Sequence, residues 1–204
     1  MLARPSGGLV YHWRALRHGH KWRPFREQIA DWLQNWPPRS KQLLLIGPSA
    51  GYTLPTEWLA KFEQVVAYDL DPLAPALFRW QHAKVPIRFE KQDMFWHQGN
   101  LSLRSLQKAL RDHPDAAMLF SNVLGQVLLE GQASESQWYS FLKDLRRQLQ
   151  GREWASYHDL FSTKDGEIID HMTQGAWSDG LDKREFSWQL TAASQHQIQG
   201  LKAP

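Results

Sequence analysis

Residues 42–51 read QLLLIGPSAG, and this stretch decides the fold. The run Leu43–Ile46 is wholly apolar, which is typical of a strand buried on both faces inside a parallel sheet. The small residues Gly47–Gly51 follow at once and indicate a tight turn from that strand into a helix. Small side chains let a ligand approach the backbone, and the start of a helix offers unpaired N–H groups. The stretch therefore predicts a strand, a ligand-binding loop and a helix.

The same alternation of apolar strand and amphipathic helix continues along the chain. Further strands are predicted at Val65–Tyr68, Val85–Glu90, Ala116–Phe120 and Glu153–Tyr157. Helices are predicted at Thr56–Glu63, Leu73–His82, Leu101–Leu110 and Ser134–Gln150, the last with a capping box at its start. Glu185–Leu190 and His196–Leu201 predict an antiparallel hairpin. The expected fold is α/β, a doubly wound and mostly parallel seven-stranded sheet with a C-terminal antiparallel hairpin.

The beginning of the chain has a different composition. Residues 1–24 are rich in Arg, Lys and His and contain no acid, and their glycines predict an irregular basic arm. A helix is expected next, because apolar residues recur with helical spacing. Those residues are Phe25, Ile29, Trp32, Leu33 and Trp36. We therefore predict an N-terminal arm and helix over residues 1–40 and a second unit over residues 41–204.

The basic arm has two interpretations. Its cations, with Trp13 and Trp22, are the residue types that contact phosphates and stack on bases, so the arm is a candidate RNA-binding segment. The other interpretation is a solvated or packed extension that covers an edge of the sheet. The net charge of the chain, +3, is compatible with both.

Composition excludes several classes of protein. The chain has 204 residues and no cysteine, which rules out a disulfide scaffold, a zinc finger, an iron–sulfur site and a thiol nucleophile. His18 and His20 are two residues apart without a third ligand in reach, so no metal site is predicted. The longest apolar runs fall far short of the roughly 20 residues of a membrane span, and no secretory signal is evident. A cytoplasmic protein without membrane contact is expected.

Acidic residues follow the second and third predicted strands. Asp69 comes 22 residues after Gly47, where a carboxylate accepts hydrogen bonds from ribose hydroxyls in nucleotide-binding βαβ units. Asp93 follows the third strand, where an acidic group is suited to the amine of an adenine. Because ligands of doubly wound sheets bind at the carboxyl ends of the strands, these positions predict one nucleotide-like site.

This order of residues resembles the class I S-adenosylmethionine-dependent methyltransferases, from residue 42 to about residue 200. The family has a Gly-x-Gly-x-Gly loop, an acid after the second strand, another after the third, and a terminal antiparallel hairpin. Gly47, Ser49 and Gly51 occupy the loop positions, and Asp69 and Asp93 the acidic ones. Ser49 replaces the middle glycine of the family's loop.

The resemblance implies S-adenosylmethionine as the cofactor and a role for each of these residues. The loop Gly47–Gly51, including Pro48, would pass the methionine part, and Asp69 would bind the ribose. Asp93 or its neighbour Met94 would meet the adenine. The family usually has an acid at the position of Leu45, where it helps to hold the methionine amino group.

The candidates for catalysis follow the fourth and fifth predicted strands. Methyl transfer needs mainly in-line positioning, with a base where the nucleophile must lose a proton. Asn122, His158 and Asp159 are placed for such roles, and the pKa range of histidine suits His158 to act as a general base. The segment Ser121–Leu124 lacks the proline and the aromatic residue of family members that methylate planar nitrogens, which argues against that chemistry.

Two alternatives stay open, and the methyl acceptor and oligomeric state are not predicted. One is a non-catalytic adenosyl- or RNA-binding module on the same fold, which the altered loop favours. The other is a serine hydrolase, since Gly47–Gly51 also matches the Gly-x-Ser-x-Gly nucleophile elbow with Ser49 as nucleophile. The elbow normally follows several strands, whereas only a helix and an arm are predicted before this one.

Overall fold

The computed structural model describes residues 8–17, 19–20, 22–124, 127, 134–162, 186–191 and 196–202. The helices are α1 Leu9–Arg17, α2 Arg23–Gln34, α3 Thr56–Leu59, α4 Ala74–Gln81, α5 Arg104–Asp112 and α6 Glu135–Leu149. The strands are β1 Gln42–Ile46, β2 Gln64–Tyr68, β3 Ile87–Glu90, β4 Trp96–His97, β5 Asn100–Leu101, β6 Ala117–Ser121, β7 Trp154–Ser162, β8 Phe186–Thr191 and β9 His196–Lys202. No helix within these ranges is both long and apolar enough to cross a membrane.

Within the described residues, one sheet has the strand order β3-β2-β1-β6-β7-β9-β8. The first five strands in this order, β3, β2, β1, β6 and β7, pair in parallel, and β9 pairs antiparallel with both β7 and β8. The predicted α/β class and mostly parallel sheet are confirmed. Strand order reverses between β1 and β6, and this reversal is where doubly wound sheets place their ligand.

The central strand β1 shows why the sheet is covered on both sides. Leu43 and Leu45 face a core formed with α2, α3 and α4. Leu44 and Ile46 face a second core formed with α5 and α6. All four side chains are buried, as the continuous apolar run requires, because successive side chains of a strand point to opposite faces.

Helix α6 begins as its sequence predicts. The Ser134 hydroxyl accepts a hydrogen bond from the backbone N–H of Gln137, and the Gln137 side chain accepts one from the backbone N–H of Ser134. Trp138 and Phe141 lie buried on the inner face of the helix. The capping box and the apolar face together fix where the helix begins and which side packs on the sheet.

The structure corrects the predicted elements at several points. The arm is not irregular throughout, because residues 9–17 form α1. The strand expected to end at Tyr157 continues to Ser162, since β9 goes on pairing with β7 beyond the last residue that β6 reaches. His158 and Asp159 therefore lie within β7 and not after it. The chain also forms a small unpredicted hairpin, β4–β5.

Candidate functional site

The loop after β1 adopts left-handed backbone at three alternating residues. The φ angles are +67° at Gly47, +49° at Ser49 and +72° at Gly51. A Cβ at Gly47 would lie 2.8 Å from the Cβ of Val123, and one at Gly51 would lie 2.6 Å from a ring carbon of Phe78. Both glycines are therefore required by backbone conformation and by close packing. Ser49 carries the strain of a left-handed conformation with a side chain.

Residues at the end of helix α4 anchor Ala50 and Gly51, the last two residues of this loop. The Gln81 side chain donates a hydrogen bond to the carbonyl of Ala50 at 2.7 Å, and His82 Nε2 lies 3.1 Å from the carbonyl of Gly51. His82 Nδ1 lies 2.8 Å from the Thr56 hydroxyl. Burial lowers the pKa of His82 and favours the neutral ring. A neutral ring that donates from Nε2 to the Gly51 carbonyl accepts at Nδ1 from the Thr56 hydroxyl. Sequence reasoning did not find Gln81 or His82, because only the fold brings them to the loop.

Asp69 joins the end of β2 to the same loop. Its Oδ2 accepts a hydrogen bond from the backbone N–H of Ser49 at 2.6 Å, and its Oδ1 accepts one from that of Asp71 at 2.8 Å. Burial raises the pKa of the Asp69 carboxyl, although these N–H groups act in the opposite direction. The backbone N–H groups thus offset only part of the cost of removing the charged carboxylate from water. Further hydrogen-bond donors would stabilise its charge.

Ser49 contributes a second unsatisfied group beside Asp69. Its Oγ is buried and has no hydrogen-bond partner among the described residues. Unpaired buried polar atoms are uncommon in folded proteins and call for a partner. The hydroxyl of Ser49 and the carboxylate of Asp69 together fit a ligand that carries hydroxyl or other polar groups, such as a ribose. A serine nucleophile, by contrast, needs a base within hydrogen-bond reach, and no described side chain supplies one.

The second carboxylate after β2, that of Asp71, bonds to α1 and to the residue before it. Asp71 Oδ2 lies 2.8 Å from Nε2 of His12 and accepts the backbone N–H of Gly8 at 3.0 Å. His12 Nδ1 lies 3.0 Å from the Tyr52 hydroxyl, and the His12 side chain is buried. Burial alone would raise the pKa of Asp71, but the N–H groups of Gly8 and Leu73 and the nearby His12 lower it. Asp71 therefore ties α1 to the loops at the carboxyl edge of the sheet.

Asp93 and Met94 lie after β3, the strand next to β2. Asp93 Oδ1 accepts hydrogen bonds from the backbone N–H groups of Phe95 and Trp96, at 3.0 and 2.9 Å, so this carboxylate holds its own loop. Met94 is buried in the core on the α5–α6 side of the sheet. Since β2 and β3 run parallel, Asp93 and Asp69 lie at the same edge of the sheet.

Asn122 lies at the point where strand order reverses. Its φ is +54°, and its backbone N–H donates to the carbonyl of Tyr157 at 2.9 Å. This turn brings the next residue, Val123, against Gly47. Directly below, the hydroxyl of Tyr157 lies 2.6 Å from those of Ser121 and Thr53. This chain of hydroxyl groups connects the end of β6 and the middle of β7 to the segment between β1 and α3, and sequence reasoning did not predict it.

The structure describes the backbone of His158 and Asp159, which lies within β7. Their partners across the antiparallel pair are Gln199 and Ile198 in β9. The side chains of both residues lie outside the part of the chain whose side chains the structure describes. Their catalytic roles stay predictions.

Comparisons with known proteins give similar solved structures at low sequence identity. No protein-family model and no curated protein matches the chain. The N-methyltransferase NodS from Bradyrhizobium japonicum WM9, solved with S-adenosyl-L-homocysteine, is 12% identical; the match covers 90% of this chain and 88% of that one, with a TM-score of 0.49. Magnesium protoporphyrin IX methyltransferase (ChlM) from Synechocystis PCC 6803 with bound SAM is 14% identical, with coverages of 97% and 86% and a TM-score of 0.46. The 23S rRNA methyltransferase ErmE is 17% identical, with coverages of 88% and 68% and a TM-score of 0.45.

Proposed function

We propose that the chain is an S-adenosylmethionine-dependent methyltransferase whose cofactor lies between the loop Gly47–Gly51 and Asp69. One observation carries the proposal: a partly buried carboxylate with a raised pKa at the carboxyl end of β2, bonded to the backbone of a left-handed loop after β1. Two ribose hydroxyls would donate to this carboxylate and offset the loss of its hydration. The Ser49 hydroxyl, which has no partner among the described residues, would gain one in the same event.

The remaining residues of the loop would support the cofactor through their backbone. Pro48 and Gly51 close a turn through a 2.8 Å hydrogen bond, and Gln81 and His82 bond the carbonyls of Ala50 and Gly51. Asp93 stiffens the segment that would border the adenine, and Met94 would offer it an apolar contact. Leu45 is buried in the sheet and gives no polar contact, so the methionine amino group would depend on backbone groups of the loop.

The chain's task in the reaction would be to position the acceptor. S-adenosylmethionine supplies a methyl group already activated on a sulfonium, so catalysis consists mainly of alignment. Asn122 occupies the reversal point of the sheet with its backbone fixed by Tyr157, and we assign it to orienting the acceptor. His158 is the candidate to accept a proton from the acceptor, with Asp159 beside it in the strand.

Calorimetric titration tests the cofactor site. S-adenosylmethionine and S-adenosylhomocysteine are titrated into the wild type, Asp69→Asn and the control Asp144→Asn, whose carboxylate is exposed on α6. We expect saturable binding by the wild type and the control and about 30-fold weaker binding by Asp69→Asn, since a hydrogen bond to a charged group contributes about 2 kcal/mol. Equal affinities for all three proteins would contradict the proposal.

A transfer assay separates the enzyme from a binding module on the same fold. Isotopically labelled methyl groups are followed from S-adenosylmethionine into fractions of a cell lysate, with wild type and Asp69→Asn in parallel. Incorporation that depends on Asp69 supports the methyltransferase. Tight binding without incorporation into any fraction would instead support the non-catalytic adenosyl-binding alternative. Labelling of Ser49 by a fluorophosphonate would support the hydrolase.

A further inference from the structure

Helix α1 has one face tied to the protein and one apolar face in solvent. His12 and Ala15 are buried, at 3% and 4% exposure. Leu9, Trp13 and Leu16 are 55%, 56% and 52% exposed. At about 100° per residue these three side chains fall within an arc of about 60°, so they form one stripe along the helix. We call Leu9, Trp13 and Leu16 the α1 stripe.

The α1 stripe belongs to a segment of basic sequence. The guanidinium of Arg17 is 5.0 Å from the ring centroid of Trp13, a cation–π contact at the border of the stripe. Residues 8–26 contain no acid, and their five cations are Arg14, Arg17, Lys21, Arg23 and Arg26. A surface that binds this segment is therefore expected to combine an apolar layer with negative charge.

The exposure of the stripe does not come from a detached helix. His12 contacts both Asp71 and Tyr52, and the backbone N–H of Gly8 also donates to Asp71. These bonds fix which face of α1 points inward. Leu70, which is 47% exposed, lies between Asp69 and Asp71, so a further apolar side chain is exposed at the edge where α1 is attached.

The aliphatic side chains decide between two kinds of partner. Nucleic acids are bound by cations and by aromatic faces, which accounts for Arg17 and Trp13 but not for exposed leucines. Leucine and tryptophan on one face with arginine at its border are typical of a helix that lies in the surface of a bilayer. We propose that the α1 stripe binds the surface of an anionic lipid bilayer and holds the edge that carries Asp69 close to the headgroups.

The proposed contact combines two weak forces, and its properties follow from both. A short helix with three apolar side chains buries little area, so attraction between the arm's cations and anionic lipids is needed as well. Binding should therefore be absent on zwitterionic vesicles and should fall as salt screens the charges. It needs neither cofactor nor methyl acceptor, so its failure would leave the proposed function untouched.

Vesicle flotation tests the proposal with the full chain and no cofactor. Vesicles of phosphatidylcholine alone are compared with an equal mixture of phosphatidylcholine and phosphatidylserine. We expect the wild type to float with the anionic vesicles only, and less at high salt. The double variant Leu9→Gln, Leu16→Gln should lose at least tenfold in partitioning with an unchanged melting temperature, because both side chains are exposed.

Tyr139→Gln is the matched control, since Tyr139 is an exposed apolar residue on α6, a helix on the opposite face of the sheet from α2–α4. It should bind vesicles like the wild type. Failure of the wild type to bind anionic vesicles, or binding that the leucine variant retains, would overturn the proposal. Binding of single-stranded RNA that the leucine variant keeps, without vesicle binding, would assign the arm to RNA and overturn it too.

Discussion

The two carboxylates that follow β2, Asp69 and Asp71, are neighbours whose pKa values are shifted in opposite directions. Asp69 receives backbone N–H groups of Ser49 and Asp71, yet burial still raises its pKa. Asp71 is also removed from water, but Gly8, Leu73 and His12 compensate it and its pKa is lowered. Asp71 is a satisfied structural group that holds α1. Asp69 retains an electrostatic cost, which a bound ligand with hydroxyl donors would relieve.

The difference shows how similar residues at one strand end acquire separate roles. The charge of the Asp71 carboxylate is compensated within the chain by His12, which lies 59 residues away in sequence. The charge of the Asp69 carboxylate is compensated only in part by the loop after β1, which donates the backbone N–H of Ser49. Where a buried charge is not fully compensated by its own protein, a functional site is the first hypothesis, because such groups are otherwise costly.

The largest effect is expected on the Asp69 side, at Gly51. Gly51→Ala should lower the free energy of unfolding by about 3 kcal/mol, since it adds a clash with Phe78 and His82 to a left-handed backbone. Gly151→Ala is the control, because Gly151 also has a positive φ but nothing lies within 4 Å of its added Cβ. The control should lose only about 1 kcal/mol. Equal losses in chemical denaturation would show that the loop after β1 is not closely packed.

On the Asp71 side, Asp71→Asn should release α1. The variant places an amide donor where Oδ2 now accepts from Gly8 and contacts His12, at a cost of about 2 kcal/mol. Amide hydrogen exchange in α1 should become about 30-fold faster, while the affinity for S-adenosylhomocysteine changes less than it does in Asp69→Asn. Unchanged protection of α1 would mean that Asp71 does not hold the helix.

A smaller effect, on the pH dependence of stability, distinguishes Asp69 from Asp71. The raised pKa of Asp69 means that the folded state binds this proton more tightly, so its contribution to stability falls as pH rises above 3.8 toward the raised pKa. The lowered pKa of Asp71 gives the opposite sign: its contribution is present above 3.8 and is lost as pH falls through the lowered pKa.

Urea unfolding of wild type, Asp69→Asn and Asp71→Asn across the acidic range checks these signs. Relative to the wild type, Asp69→Asn should gain stability as pH rises above 3.8, whereas Asp71→Asn should lose stability as pH rises toward 3.8 from below. Parallel pH profiles for the two variants would contradict the assignment of different states to the two carboxylates.

The parts of the fold that sequence could predict were those with a local signal. The run Leu43–Ile46 predicts a central strand because it is short, wholly apolar and followed at once by a glycine turn. The capping box at Ser134 predicts where α6 begins. Trp32 and Trp138 lie in the core as their helical spacing indicates.

The parts that sequence could not predict depend on contacts between distant segments. Helix α1 escapes a pattern analysis because its buried face carries His12 while its leucines are exposed. The anchoring of the loop by Gln81 and His82 needs the packing of α4, which no motif encodes. Asp69 was placed correctly at the end of β2, but its bond to Ser49 and its desolvation emerge only in three dimensions.

A crystal structure of the full chain with S-adenosylhomocysteine tests the central claim most directly. The account predicts both ribose hydroxyls of the ligand at hydrogen-bond distance, about 2.5–3.0 Å, from the Asp69 carboxylate, with the Ser49 hydroxyl also engaged. An adenosyl group bound elsewhere on the sheet edge, with Asp69 contacting only its present backbone partners, would contradict it.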